Sequence, residues 1–356
     1  MKLHKLIFTA IAGSLLFVSC SDDDAQDKPS GAYDNGVLIL NQGGFGHGDA
    51  SVSFLSDAMT IENNIFATVN GGALLGDTGQ DMGLNGDLAY IVVNISNKIE
   101  VVNRYTMAKV ATITTDLENP RYIAFHEGKG YVTNWGLGGD ANDDYVAVID
   151  LATNLVISKI PVIEGPEKIV EENGNLYVAH GGGWGQNNKV TVINTSGDAV
   201  VTTIPVGTVP NSMEIEDGSL YVLSSGMPSW TGAETAGQLD VINLGNNTVT
   251  KTIVFETAAT HPSNLVIEDD KLYYTVDNGI YTMAETSATL PAAPLFTTTD
   301  QGAYGVYSFA VKNGHIYIGD AGDYESNGKI YIYSLEGMLH NSFTVGVVPA
   351  GFFFND

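Results

Sequence analysis

From residue 36 onward the chain reads as short apolar strands separated by turn residues. Six segments share one frame: GDLAYIVVN (86–94), GKGYVTNWG (128–136), GNLYVAHGG (174–182), GSLYVLSSG (218–226), DKLYYTVDN (270–278) and GHIYIGDAG (314–322). Each is a turn residue followed by an alternating or wholly apolar run with a tyrosine near its middle. Tyr90, Tyr131, Tyr177, Tyr221, Tyr273 and Tyr317 stand 41, 46, 44, 52 and 44 residues apart. Helical periodicity is absent throughout. A period in the forties with strand-type alternation predicts propeller blades of four strands each.

The companion strands recur in the same way. An inner strand precedes each tyrosine strand, as in NPRYIAFH (119–126), GPEKIVEE (165–172), PNSMEIED (210–217) and HPSNLVIE (261–268). Third strands such as YVAVID and KVTVIN follow it, then fourth strands such as LVISKIPV and VVTTIPV. The first tyrosine-type strand, GVLILNQGG (36–44), has no inner strand ahead of it, but VPAGFFFND (348–356) matches VPNSMEIED (209–217) in register. The expected fold is therefore all-β: a seven-bladed β-propeller of four-stranded blades over residues 33–356, closed by the C-terminal strand completing blade one. Closure removes the unpaired sheet edges that an open array would expose.

Alternate links of such a blade lie on opposite faces of the disc. The hairpins HEGK, EENGN, EDGS, EDDK and KNGH are tight and mostly acidic, whereas the links after the tyrosine strands are long and glycine-rich. They read NQGGFGHGDAS (41–51), NWGLGGDANDDY (134–145), HGGGWGQNNK (180–189), SSGMPSWTGAETAGQ (224–238) and DAGDYESNGK (320–329). Trp135, Trp184 and Trp230, all the tryptophans of the chain, fall in these links, with Phe45 and Tyr324 in equivalent places. Rings beside amide and imidazole groups (Asn134, His180, Gln186, Asn187) suit a ligand with apolar faces and a polar rim. Packing between neighbouring blades is the competing reading for any one ring.

The first residues, MKLHKLIFTAIAGSLLFVSC, have the form of a secretory signal over residues 1–19. Cys20, the single cysteine, stands where lipoproteins carry the acylated thiol, although Phe17 replaces the usual leucine; an ordinary cleaved signal is the alternative. Residues 20–32 are expected to be a lipidated cysteine and a flexible polar tether, its acidic run Ser21–Asp24 being a surface-export signal or a solvated spacer. No later segment is apolar enough to cross a membrane. The net charge of −26 drops by two more units when Lys2 and Lys5 leave with the signal, which argues against nucleic acid and anionic lipid as partners.

Motifs of catalysis are scarce. No glycine-rich loop joins strand to helix, no G-x-S-x-G elbow occurs, and the histidines are scattered, so His47, His180 and His261 read as hydrogen-bonding loop residues. The inner strands offer only Asp81, Glu167, Glu214, Asn211 and Asn264 for a cluster at the channel mouth. Asp140, Asn142, Asp143 and Asp144 form either a cation site or a solvated acidic loop, and they lack the twelve-residue calcium pattern. No catalytic residue, metal site or cofactor is expected.

The period, the LYV-type strands and the terminal closure resemble the YncE-like seven-bladed propellers. With the cysteine, the acidic tether and NQGGFG, the chain is similar to surface lipoproteins of Bacteroidetes that accompany TonB-dependent outer-membrane transporters. That resemblance implies capture of cobalamin or a ferric siderophore at the cell surface and its transfer to the transporter, with no catalytic motif. Charge favours cobalamin or another neutral or cationic chelate over an anionic catecholate. Lys98, Lys189, Lys329, Arg121 and Lys168 are the few cations near the loop-rich face. A protein- or glycan-adhesion module, or a propeller lactonase or oxidoreductase, are the other readings.

Overall fold

The computed structural model describes residues 30–183 and 185–356. The expected signal segment, Cys20 with its acidic run, and Trp184 lie outside the described residues. Seven four-stranded antiparallel sheets make up the body, six of them built from consecutive strands. The seventh takes Pro349–Phe354 as its inner strand, ahead of Gly36–Asn41, Ser51–Ser56 and Ile61–Glu62. Leu38 pairs with Phe353 and Ile39 with Phe352, so both termini close one blade.

Blades are joined by apolar clusters that each draw on two neighbours. Val92, Ile99 and Val101 of blade two pack with Val132, Ala147 and Ile149 of blade three. Val37, Ile39 and Leu55 of blade one pack with Tyr317, Ile330 and Ile332 of blade seven, which completes the ring. The repeated tyrosines explain their own spacing. All six are buried, and the Tyr131 hydroxyl donates to Asp198 at 2.9 Å while that of Tyr177 donates to Asn247 at 3.3 Å. Each partner sits in an outer hairpin of the next blade in a left-handed backbone conformation (φ 46° and 57°) that Asp and Asn tolerate. A tyrosine at this position therefore supplies apolar area to the joint, and at Tyr131 and Tyr177 also a polar tip that fixes the neighbouring blade, whereas the buried Tyr90 hydroxyl has no partner among the described residues.

The hairpin face is clipped because its turns are two residues long. Glu127–Gly128, Asn173–Gly174, Asp217–Gly218, Asp269–Asp270 and Asn313–Gly314 all have positive φ at both positions. That is the turn geometry whose twist matches an antiparallel ribbon. The chain enters on this face, where the Asn35 amide donates to the Asn355 carbonyl and the Tyr33 amide to the Tyr105 carbonyl. Arg104 and Asn355 clamp the two ends together, the Asn355 amide nitrogen donating to the carbonyls of Tyr33 and Arg104.

The described residues of this all-β body include one short α-helix. A five-residue helix, Ile65–Val69, follows the two-residue outer strand of blade one. Ile65 and Phe66 are buried in the joint between blades one and two, so the helix supplies apolar side chains to that joint. Five residues are too few to show a helical period in sequence. Among the described residues no helix is long and apolar enough to cross a membrane.

Candidate functional site

The second-to-third-strand links and the fourth-to-first-strand links emerge on one face of the disc, and exposed aromatic rings gather there. Phe45 is 76% exposed, Trp230 74% and Tyr304 77%, with Tyr324 and Tyr307 also open to solvent. Among the described residues these are all the exposed aromatic side chains, and all five belong to this face. Trp230 stands on a single 3-10 turn, Ser229–Thr231, that packs none of its residues inside. Tyr307 and Tyr324 meet edge to face at 5.7 Å, and the Tyr307 hydroxyl donates to Gln42 at 2.6 Å, linking blade seven to blade one. Leu74 and Leu137 add exposed aliphatic surface on the same side.

Trp135 behaves differently. It is half-buried, with the Arg121 guanidinium carbon 4.0 Å from the ring centroid, and it forms one wall of a cleft of about 270 Å³ between blades three and four. Gly138, Gly139, Gly165, Gly182 and Gly183 supply much of the remaining lining, with Asp140, Asp144 and Glu164. Glycine is required at 165 and 182: φ there is +71° and +103°, and a Cβ on Gly165 would lie under 3 Å from the Gly182 backbone of the facing loop, one on Gly182 under 3 Å from the Gln186 and Asn187 backbone of its own loop. The indole N–H of Trp135 is buried with no acceptor among the described residues.

Several polar candidates are committed internally. The Asn134 amide donates to the Val132 carbonyl at 2.8 Å, and its oxygen accepts the Glu118 N–H at 3.1 Å. His180 is fully buried, with Nδ1 3.2 Å from the Glu164 carbonyl and Nε2 2.8 Å from Thr191 Oγ1. Burial pushes its imidazole down to about 4 against the pull of those backbone bonds, so it is neutral at physiological pH. Asn187 donates to the same Glu164 carbonyl at 3.0 Å, while Gln186 is partly exposed. Asn134, His180 and Asn187 thus shape the loops that carry the rings, and only Gln186 of the four has no bond to the backbone of its own or a neighbouring loop among the described residues.

The carboxylates of the acidic loop 140–145 are also taken up by amides of that loop and of its neighbours. Asp140 accepts from the Asn142 amides at 3.0 Å, Asp143 from the Leu137 N–H at 2.9 Å, and Asp144 from the Gly165 N–H at 2.5 Å. Burial pushes Asp144 up to about 6, reinforced by Asp143, Glu164 and Asp140. Among the described residues no three His, Cys, Asp or Glu side chains converge as metal ligands. His261 faces Glu234 at 3.2 Å and the Ser225 carbonyl at 2.7 Å, and bonding to that carbonyl holds it above its ordinary value.

The inner-strand candidates meet in the central channel. Asp81, Asn211, Glu214 and Asn264 line one cavity of about 350 Å³ together with Tyr122 and Lys168. Glu167 is held by Arg121 at 3.2 Å beneath Trp135. Tyr304, Tyr307, Leu74 and Leu137 carry no signal in the sequence: Leu74 and Tyr304 stand in the glycine-rich fourth-to-first links NGGALLG (70–76) and DQGAYG (300–305), where nothing marks which side chain faces out.

The chain belongs to the family described as a domain of unknown function (DUF5074), whose profile matches residues 35–354. No curated protein matches it. It resembles the structure of a quinoprotein alcohol dehydrogenase-like protein from Bacteroides thetaiotaomicron at 15% identity, over 91% of this chain and 79% of that one, with a TM-score of 0.66. A protein described as a candidate 6-phosphogluconolactonase from Bacteroides uniformis is similar at 13% identity, over 90% and 99%, with a TM-score of 0.64. A protein of unknown function from Desulfotomaculum acetoxidans is similar at 14% identity, over 90% and 98%, with a TM-score of 0.63. At such identities the likeness is one of fold, which propellers of unrelated activity share.

Proposed function

We propose that this member of a family of unknown function is a ligand-capture protein, not an enzyme, and that it binds a bulky chelate of the cobalamin type on its loop-rich face. The observation that carries the reading is the gathering of Phe45, Trp230, Tyr304, Tyr307 and Tyr324, the exposed aromatic rings among the described residues, on one face. Exposed rings cost solvation and return nothing to folding unless something covers them. The unpaired Trp135 N–H adds a donor at the wall of the adjoining cleft. A net charge of −26, with Asp140, Asp144 and Glu164 around that cleft, favours a neutral or cationic ligand fringed by amides over an anionic siderophore.

In this reading Cys20 anchors the protein to the outer membrane by lipid, on the cell surface. Because the chain enters on the hairpin face, an anchor there leaves the aromatic face turned away from the membrane, and a TonB-dependent transporter has to meet the loops to receive the ligand. Calorimetric titration with cyanocobalamin and with ferric siderophores tests the capture reading. Trp230→Ala should weaken binding by roughly ten- to a thousandfold with an unchanged melting temperature. If none of these ligands binds, adhesion to protein or glycan through the same rings takes its place. Cys20→Ala should move the protein from the membrane to the soluble fraction, and an unchanged distribution would overturn the anchor.

A further inference from the structure

Below the aromatic face, inner strands from successive blades bring opposite charges to the axis without pairing them. Asp81 of blade two, Tyr122 of blade three, Lys168 of blade four, Asn211 and Glu214 of blade five and Asn264 of blade six line the cavity of about 350 Å³. A second space of about 320 Å³ shares Asp81, Tyr122, Lys168, Asn211 and Asn264 and extends to Gln42 and Tyr307, so the cavity is continuous towards the loop face.

Most polar groups at this level are satisfied. Arg121 and Glu167 pair with each other. Asp81 accepts the Ile123 N–H at 3.0 Å with one oxygen, Asn211 donates to the Pro262 carbonyl at 2.9 Å, and Asn264 donates to Thr275 Oγ1 at 3.1 Å. Two groups are not. The Lys168 ammonium lies 4.1 Å from the centroid of the Tyr122 ring, and no carboxylate of a described residue comes within ion-pair distance of it. The Glu214 carboxyl has no hydrogen-bond partner among the described residues. Burial works against the Lys168 charge, but Tyr122, Asp81, Glu214 and Glu167 outweigh it and hold the ammonium above its ordinary value. Both residues are part-buried and line the channel, so an unpaired ammonium and an unpaired carboxyl face one cavity and are available to an occupant.

We propose that the channel binds a small zwitterion of amino-acid size, its carboxylate on Lys168 and its ammonium between Asp81 and Glu214. A lone cation would leave Lys168 opposing it, and a lone anion would meet both carboxyls. A zwitterion satisfies both signs and, being net neutral, enters the field of a strongly acidic protein without a long-range penalty. Val170, Leu265, Val266 and Phe309 in the same wall receive an apolar side chain, and the volume falls in the ~300–1,000 Å³ range of small-ligand sites. The site lies below the aromatic face and opens towards it past Tyr307, but its charged groups, Lys168, Asp81 and Glu214, are not part of that face.

Calorimetric titration of the full chain with L-leucine, L-glutamine and glycine tests it, beside L-leucine methyl ester, which lacks the carboxylate, and N-acetyl-L-leucine, which lacks the ammonium. At least one zwitterion should bind saturably, and both blocked forms should bind at least tenfold more weakly. Lys168→Met should reduce zwitterion binding at least tenfold and the isosteric Asp81→Asn should reduce it severalfold, so a folding defect in either variant leaves the other as a test. Trp230→Ala should leave it unchanged. No saturable heat from any zwitterion at millimolar concentration, equal binding of the blocked forms, or unchanged binding by both folded variants would overturn the proposal.

Discussion

Arg121 stacks on Trp135 at 4.0 Å while its guanidinium pairs with Glu167 at 3.2 Å, so one side chain joins the wall of the loop cleft to the wall of the central channel. Glu167 is held above its ordinary value by burial even with this partner beside it. Arg121→Gln removes the ion pair and the cation–π contact together and leaves a part-buried carboxylate uncompensated. The expected loss is of order 3 kcal/mol, read as a lower urea midpoint, with a change in tryptophan fluorescence reporting the indole. An unchanged midpoint and spectrum would show that the pair is screened by channel water.

His180 is expected to act on stability and not on ligand affinity directly. His180→Ala leaves Thr191 Oγ1 without the ring nitrogen at 2.8 Å and opens a cavity under the loop. The cost should be roughly 2–4 kcal/mol. Its neutral ring also predicts a pH effect: a folded value near 4 lies below the unfolded ~6.5, so the stability it supports is present above pH 6.5 and falls as pH drops towards 4. Denaturant midpoints of wild type and variant at pH 7.5 and pH 5 check both points, and their difference should shrink at the lower pH.

Asn355 is fully buried and closes the ring from the last strand. Its side chain bonds the Tyr33 and Arg104 carbonyls and accepts from Arg104 Nε. Asn355→Ala should cost about 1–3 kcal/mol. Deleting Val348–Asp356 should do far more, since it removes the inner strand of blade one and bares Val37, Leu38 and their neighbours. A truncated chain that melts as cooperatively as the intact one, at the same temperature, would contradict terminal closure.

Glu214 is pushed up to about 7 by burial, with Lys168 pulling it down and Glu216 raising it further. A carboxyl whose folded value exceeds its unfolded one, near 4.3, stabilises the native state fully only below the unfolded value, and loses that contribution as pH rises to 7. Glu214→Gln should therefore gain on wild type as pH rises. Urea midpoints at pH 5 and pH 8 should show the gap between the two widening at pH 8; a constant gap would place Glu214 at an ordinary carboxylate value.

What the sequence determined by itself was the repeat and its consequences. Tyrosine strands in one frame dictated blades, because each such strand needs a neighbour to bury its ring, and VPAGFFFND matching VPNSMEIED dictated that the missing inner strand lies at the far terminus. Long and short links follow from strand order, so the sequence alone assigns Phe45, Trp135, Trp230 and Tyr324 to one face. Only the tertiary structure decided which of those side chains are free. Asn134 and His180 end the strands that lead into these links, yet their polar atoms are consumed by partners at Glu118, Glu164 and Thr191 that folding, and not local sequence, brings near. The same holds for the channel: Asp81, Lys168 and Glu214 come from three blades and face one another only because the ring closes. Hydrogen-bond partnership and burial are properties of what surrounds an atom, and strand periodicity specifies only which side of the sheet that atom is on.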